Sequence, residues 1–236
     1  MIPAVPLPRS LLTLPVEVGD LMDHTPESAY AHLRDTRPTW FLTPPGGGAI
    51  DIMRWPMIEG QVVHRDEERV VLEDPVVLPD GQQVRRLRIL AARSEAPVAV
   101  LPLLANGEVV LVDRFRHAAR TWQWEILKGA GVAGVSNVQN AAGQLKDLLA
   151  ASASEVIGLG RVHPDPALVA EAVALYAARI DAVGELGHGA GIRRVRVVAF
   201  AEAEQMALTG QITDAVTITS LFRARQAGLG DGGAAR

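Results

Sequence analysis

The 236-residue chain contains no cysteine, which excludes disulfides, thiolate metal sites and a cysteine nucleophile, and suits a reducing compartment. It also lacks a basic balance. Its 23 Lys and Arg against 27 Asp and Glu leave a net charge of −4, so no global field recruits nucleic acid, and only local arginine clusters are left to meet phosphates. No apolar span of about 18 residues occurs, and the N-terminus "MIPAVPLPRSLLTLPVEVGDLMD" has no basic stretch ahead of an unbroken apolar run. Neither a membrane helix nor a signal peptide is expected. Phosphate loops of the nucleotide-binding kind are missing too: "GGG" at 46–48 and "GAG" at 129–131 lack the following lysine and hydroxyl residue, and no serine sits in a nucleophile elbow. From these absences a cytoplasmic protein without nucleic-acid or membrane partners is expected.

What is present can build a core, since 48% of the residues are hydrophobic. Residues 1–60 hold many of the 15 prolines and read as an arm carrying one short helix, "PESAYAHLRD", with Pro26 in its first turn. From residue 61 the pattern turns to strands, with 61–95 as a first group broken at "EDP" and at the hairpin turn "LPDG". Two valine- and leucine-rich runs then flank Asn106-Gly107, a strong hairpin signal. "TWQWEILKGAG" follows as a short strand entering a glycine loop, with Trp122 and Trp124 on one face. With only four tryptophans in the chain, a core or dimer-interface role is expected for both, although Trp124 can also stack on a ligand ring.

Val138, Ala141, Ala142, Leu145, Leu148 and Leu149 make a helical stripe, with Asn137 as the expected N-cap. Strands at "SEVIGLGRVHP", "EAVALYAARI" and "IRRVRVVAF" come next, then two helices separated by Gly210, the second capped by Thr213 or Asp214. This order predicts an α+β chain, an α/β/α sandwich over residues 61–226, and a disordered Gly/Ala tail at 227–236.

The segments "VAVLPLLANGEVVLVDRFRHA", "WQWEILKGAG", "IGLGRVHPDPALVAEAVALYAARI" and "GQITDAVTITSLFRA", in this order, resemble the Nudix superfamily, and within it the ADP-ribose pyrophosphatase branch. The resemblance implies the Nudix fold, a mixed and antiparallel α/β/α sandwich with an N-terminal β extension, and a homodimer formed through the 61–95 strands. It also implies a loop and helix rich in carboxylates that hold magnesium against a diphosphate. Here the motif is degenerate. Starting it at Gly129 places Val135 at the loop glutamate, Gly143 and Gln144 at the Arg-Glu pair, Asp147 and Leu148 at the paired glutamates, and Ala150 at the closing glycine. One acid, Asp147, remains, so no resident cofactor and at most weak magnesium binding are expected.

Outside the motif, Glu125 falls where related enzymes use a glutamate near metal or substrate, and Glu171 where they carry a general base. Arg114, Arg116 and Trp124 are candidate ligand-binding residues, because guanidinium forks grip diphosphates and an indole stacks on rings. His163, near Asp165 between prolines, is a candidate acid/base. The leading expectation is a repurposed Nudix fold that binds, or acts unconventionally on, a nucleotide-sugar-like or diphosphate ligand. The alternatives are a hydrolase that gathers metal from Glu125, Asp147, Glu155 and Glu171, and a noncatalytic scaffold.

Overall fold

The computed structural model describes residues 21, 23–43, 49–53, 60–92, 95–186 and 191–230. The chain divides into two compact units: Met1–Ser94 with Asp165–Glu171, and Glu95–Pro164 with Ala172–Arg236.

In the first unit, helix α1 (Pro26–Thr36) starts at Thr25, whose hydroxyl accepts from the Ser28 amide at 3.2 Å, and a 3-10 turn follows over Pro38–Phe41. Strands β1 (Asp51–Ile52), β2 (Gln61–Arg65) and β4 (Gln83–Ala91) all pair antiparallel with β3 (Arg69–Val77). The "LPDG" turn joins β3 to β4 as expected, with Gly81 at φ 84°.

The expected break at "EDP" is corrected, because β3 runs straight through Glu73, Asp74 and Pro75. Proline gives the ladder only a carbonyl, and the Pro75 carbonyl accepts from the Met53 amide at 2.8 Å. The actual break comes earlier, at Asp66, whose carboxylate accepts from the Glu68 and Arg69 amides. Asp74 is fully buried and holds this unit together: it takes the Tyr30 hydroxyl at 2.7 Å and pairs with Arg88, which also donates to the Trp40 carbonyl at 2.8 Å. Around that cluster, Leu21, Ala29, Leu33, Val62, Val70, Leu72 and Leu90 form the unit's core. Residues 165–171 lie along β4, where the Ile89 amide donates to Leu168 and the Ala170 amide donates to Ile89.

The second unit holds a seven-stranded sheet of β5 (Val98–Leu104), β6 (Val109–Arg116), β7 (Thr121–Glu125), β8 (Leu127–Gly129), β9 (Ala153–Val162), β10 (Val173–Ile180) and β11 (Ile192–Val198). The order is β11-β6-β5-β10-β9, with β7 on β6 and β8 on β5; β5 and β10 are parallel and the other pairs antiparallel. Alternation sorts its residues between two apolar layers. Val98, Val100, Val110 and Val112 meet Ala141, Leu145 and Leu149 of helix α2 (Asn137–Leu149). Leu101, Leu103 and Leu111 turn the other way, towards Phe200 and Met206 of α3 (Phe200–Leu208) and Val216 and Leu221 of α4 (Ala215–Gln226). Each fully buried leucine contributes about 1.5–3 kcal/mol. The result is the expected α/β/α sandwich.

Two details of α2 differ from expectation. Its N-cap is Ser136, not Asn137, because Ser136 and Gln139 form a reciprocal capping box. Val138 shares the inward face by angle, but it lies in the first turn and is exposed, whereas Asn140 and Gln144 are buried against the 129–131 loop. The Asn106-Gly107 hairpin and the Asp214 cap of α4 are as expected. Among the described residues, no helix is long and apolar enough to cross a membrane.

Candidate functional site

The site in the second unit is built on the α2-facing side of β6 and β7. Residues alternate along a strand, so Arg114 and Arg116 share the face of Val112, and Val112 pairs directly with Glu125 at the end of β7. Glu125 is completely buried. Such a carboxylate must be paired or protonated, and here it is paired twice. Arg116 grips it as a fork, Nε to Oε2 at 2.8 Å and Nη2 to Oε1 at 2.5 Å, while Lys128 Nζ lies 3.0 Å from Oε2.

Lys128 then reaches a second acid. Its Nζ is 2.6 Å from Asp214 Oδ1, and Asp214 also accepts from the Thr217 amide at 2.8 Å and hydroxyl at 2.6 Å. The Thr217 hydroxyl in turn accepts from the Ile126 amide at 3.1 Å, so the N-terminus of α4 is tied to the β7–β8 connection. Burial works against the Asp214 charge, but Lys128 and the Thr217 hydrogen bonds hold its pKa below the usual carboxylate range. Lys128 and Asp214 are functional candidates that sequence reasoning missed. Lys128 follows Glu125 by one helical-style interval in sequence, but only the turn at Ile126 brings the ammonium back to the carboxylate.

Arg114 completes the group. Its Nη1 donates to the Lys128 carbonyl at 3.0 Å, and among the described residues it meets no carboxylate within ion-pair distance. Its pKa is lowered by burial and then by neighbouring Arg116, with Glu125 drawing it partly back, as befits a partly desolvated cation beside a second one. Three cations against two carboxylates leave one surplus positive charge in a half-buried setting. An anion fits that arrangement.

The remaining candidates lie elsewhere. Asp147 is exposed on α2, and His163 is exposed just beyond β9. Trp124 is half-buried, packs against the α3/α4-side core and has the Arg194 guanidinium 5.3 Å from its ring, which places it on the opposite face of the sheet from Glu125. Glu171 belongs to the first unit, half-buried, with its pKa raised by burial and drawn partly back by Arg69. In the same segment Asp165 accepts from the Ala167 amide at 3.2 Å. Glu155 is exposed and pairs with Arg179.

Glu125 faces Arg116 and Lys128, Asp147 has no second acid beside it on α2, and among the described residues no three His, Asp or Glu side chains converge at ligand spacing. Where the Nudix resemblance puts a further acid, Gln144 donates to the Val98 carbonyl at 3.3 Å, and a Cβ on Gly129 would meet its amide at 2.8 Å. The glycine therefore makes room for an amide packed as core.

Fold and site together define a mixed α+β sandwich with a buried, cation-rich charge cluster. No protein-family model and no curated protein matches the chain. Among solved structures it is similar to one titled as the crystal structure of an ADP compounds hydrolase, with a TM-score of 0.61 and 16% identity, over 80% of this chain and 100% of that one. At that identity the likeness is one of fold.

Proposed function

We propose that this chain uses a Nudix-type fold to bind a nucleotide-sugar-like or diphosphate ligand, and that magnesium-dependent pyrophosphohydrolysis is not its activity. The observation that carries this reading is the state of Glu125: fully buried, forked by Arg116 and touched by Lys128, its charge is already balanced by two cations. Loss of acids from α2 supports it, since the buried polar positions there belong to Asn140 and Gln144, and the lone Asp147 faces solvent.

The attraction for an anion resides in Arg114, whose half-buried charge has no carboxylate within ion-pair distance among the described residues. Desolvated cations gain most from a charge-assisted partner, so an incoming phosphoryl group would relieve Arg114 without displacing the Arg116–Glu125 pair. ADP-ribose is the natural first probe, given the ADP compounds named for the structural neighbour. Titration calorimetry in EDTA should show binding that falls at least about tenfold in Arg114→Ala, the equivalent of one charged hydrogen bond, with no phosphate-containing product in magnesium or manganese. Turnover with either metal that disappears in Asp147→Asn or Glu171→Gln would overturn the proposal.

A second reading, an active hydrolase, is favoured by one observation: Glu171 is a half-buried carboxylate whose pKa is raised, as suits a general base. The same turnover assay separates the two. We further propose that the 61–95 strands support a homodimer, which light scattering checks directly.

A further inference from the structure

The opposite face of β6 carries a second arginine cluster that the charge network above does not use. Asp113 and Phe115 point there, and their partners on β7 are Trp124 and Trp122, so one sheet surface presents an acid and three rings. Strand β11 lies along the other side of β6. Its register slips by one residue between Ile192 and Arg194, and a bulge of that kind re-aims side chains that would otherwise alternate. Consecutive Arg193 and Arg194 consequently both reach Asp113 Oδ2, Arg193 through Nε at 2.8 Å and Arg194 through Nε at 3.0 Å and Nη2 at 2.5 Å.

Each guanidinium also lies on an indole, Arg193 4.1 Å from the Trp122 ring centre and Arg194 5.3 Å from that of Trp124. Arg120 extends the row, 5.2 Å from Phe115, which itself meets Trp122 edge-on. Arg196 does not contribute, since Glu202 neutralises it at 2.5 Å.

Asp113 is buried at 2% exposure, while the Arg193 and Arg194 side chains are 44% and 58% exposed. The carboxylate thus fixes the inner edge of two forks whose outer edges face solvent. Rotamer freedom, the main cost of using arginine to grip an anion, is already lost to the Asp113 bonds and the ring contacts. One carboxylate against Arg193, Arg194 and Arg120 leaves a local surplus of two positive charges on a chain of net charge −4. Adjacent planar forks with unspent N–H groups match the oxygens of a phosphoryl group bidentately.

We propose that Arg193 and Arg194, braced by Asp113 and seated on Trp122 and Trp124, form a phosphoryl-binding site separate from the Arg114–Glu125 cluster and independent of its proposed role. The phosphoryl group belongs either to a small phosphorylated molecule or to the phosphodiester of a single strand, whose bases would stack on the exposed guanidinium planes and on Trp122.

The test titrates the full chain with inorganic pyrophosphate, ADP and a short single-stranded oligonucleotide, following calorimetry and tryptophan fluorescence. Measured in Arg114→Ala, which silences the cluster proposed on the other face, binding of any of these should persist, weaken at least tenfold when Arg193→Gln/Arg194→Gln is added, and lose its fluorescence response when Trp122→Phe is added. Pyrophosphate or ADP binding would assign the small-molecule source, and oligonucleotide binding alone would assign the strand. Arg193→Lys/Arg194→Lys keeps the charge opposite Asp113, and hence the fold, but lacks the fork, so it should also lose most of the affinity. No binding by the folded wild type, or affinity unchanged in either double variant, would overturn the site.

Discussion

Replacing Lys128 with methionine keeps an unbranched apolar stem, one atom shorter, and removes the ammonium with its charge and hydrogen bonds. In the wild type the ammonium lies between two carboxylates, 3.0 Å from Glu125 and 2.6 Å from Asp214, with both Lys128 and Asp214 under 20% exposed. Orphaning one partner of a buried pair costs about 3–5 kcal/mol. Here Glu125 keeps the Arg116 fork, and Asp214 keeps the Thr217 amide and hydroxyl, so the loss should fall to about 2–3 kcal/mol. At about 2–4 °C per kcal/mol for a chain of this size, Tm should drop by about 4–12 °C at pH 7.

The pH dependence has a definite sign. The folded pKa of Asp214 is depressed, so its contribution to stability is present above the unfolded value, near 3.9, and is lost as pH falls through the folded one. With Lys128 gone, burial pushes that carboxylate the other way, and the difference between wild type and Lys128→Met should therefore begin to shrink above about pH 4 and go on shrinking as pH falls through the wild type's depressed value. A thermal double-mutant cycle with Asp214→Asn isolates the pair, and a coupling of about 1–2 kcal/mol is expected. Additivity within about 0.5 kcal/mol would refute the claim that Lys128 and Asp214 act as one buried unit.

In the first unit, Asp74→Asn leaves Arg88 facing a neutral group while Tyr30 keeps an acceptor, so urea denaturation should show a loss of about 2–4 kcal/mol, against about 1 kcal/mol for Tyr30→Phe. Equal losses would mean that the ion pair adds nothing beyond the hydroxyl bond. The raised pKa of Glu171 means that its ionisation opposes folding, a stabilising balance present below the unfolded value near 4.3 and lost as pH rises through the folded value. Glu171→Gln should accordingly raise Tm at pH 7 and lose that advantage near pH 4; a lower Tm at pH 7 would show that the carboxylate is held by partners rather than strained by burial.

Much of the fold was legible because local physics decides it. Asn106-Gly107 and "LPDG" make their hairpins through glycines at φ 83° and 84°, positions that other residues resist. Asp214 caps α4 by a bond within its own first turn, and the inward stripe of α2 follows from its helical period. "EDP" misled because a proline and two acids look like a strand break, yet Asp74 is stabilised by Tyr30, 44 residues earlier, and by Arg88, 14 later. Ser136 was passed over as a cap because the adjacent asparagine is an equally good cap by type; only the reciprocal bond from Gln139 distinguishes them.

The sites were less legible for a reason that runs through both faces of β6. Counting acids on α2 from the sequence is straightforward, but whether an acid is free depends on which cation the fold delivers to it. Glu125 and Lys128 are three residues apart, yet their closure depends on Asp214, 86 residues from Lys128, and on Thr217 holding the Ile126 amide. On the other face the dependence is sharper. Arg193 and Arg194 are neighbours in a strand, and an ideal strand would send one to each side of the sheet; a single-residue slip against Arg114 and Asp113 sends both to one carboxylate about 80 residues away. Hydrophobic periodicity does not encode such a slip, because Ile192 and Val195 still reach the α2-side core around it. Removing it, by deleting Arg193, should restore simple alternation, leave Arg194 alone on Asp113, and abolish phosphoryl binding on that face while the Arg114 site on the other face keeps its affinity.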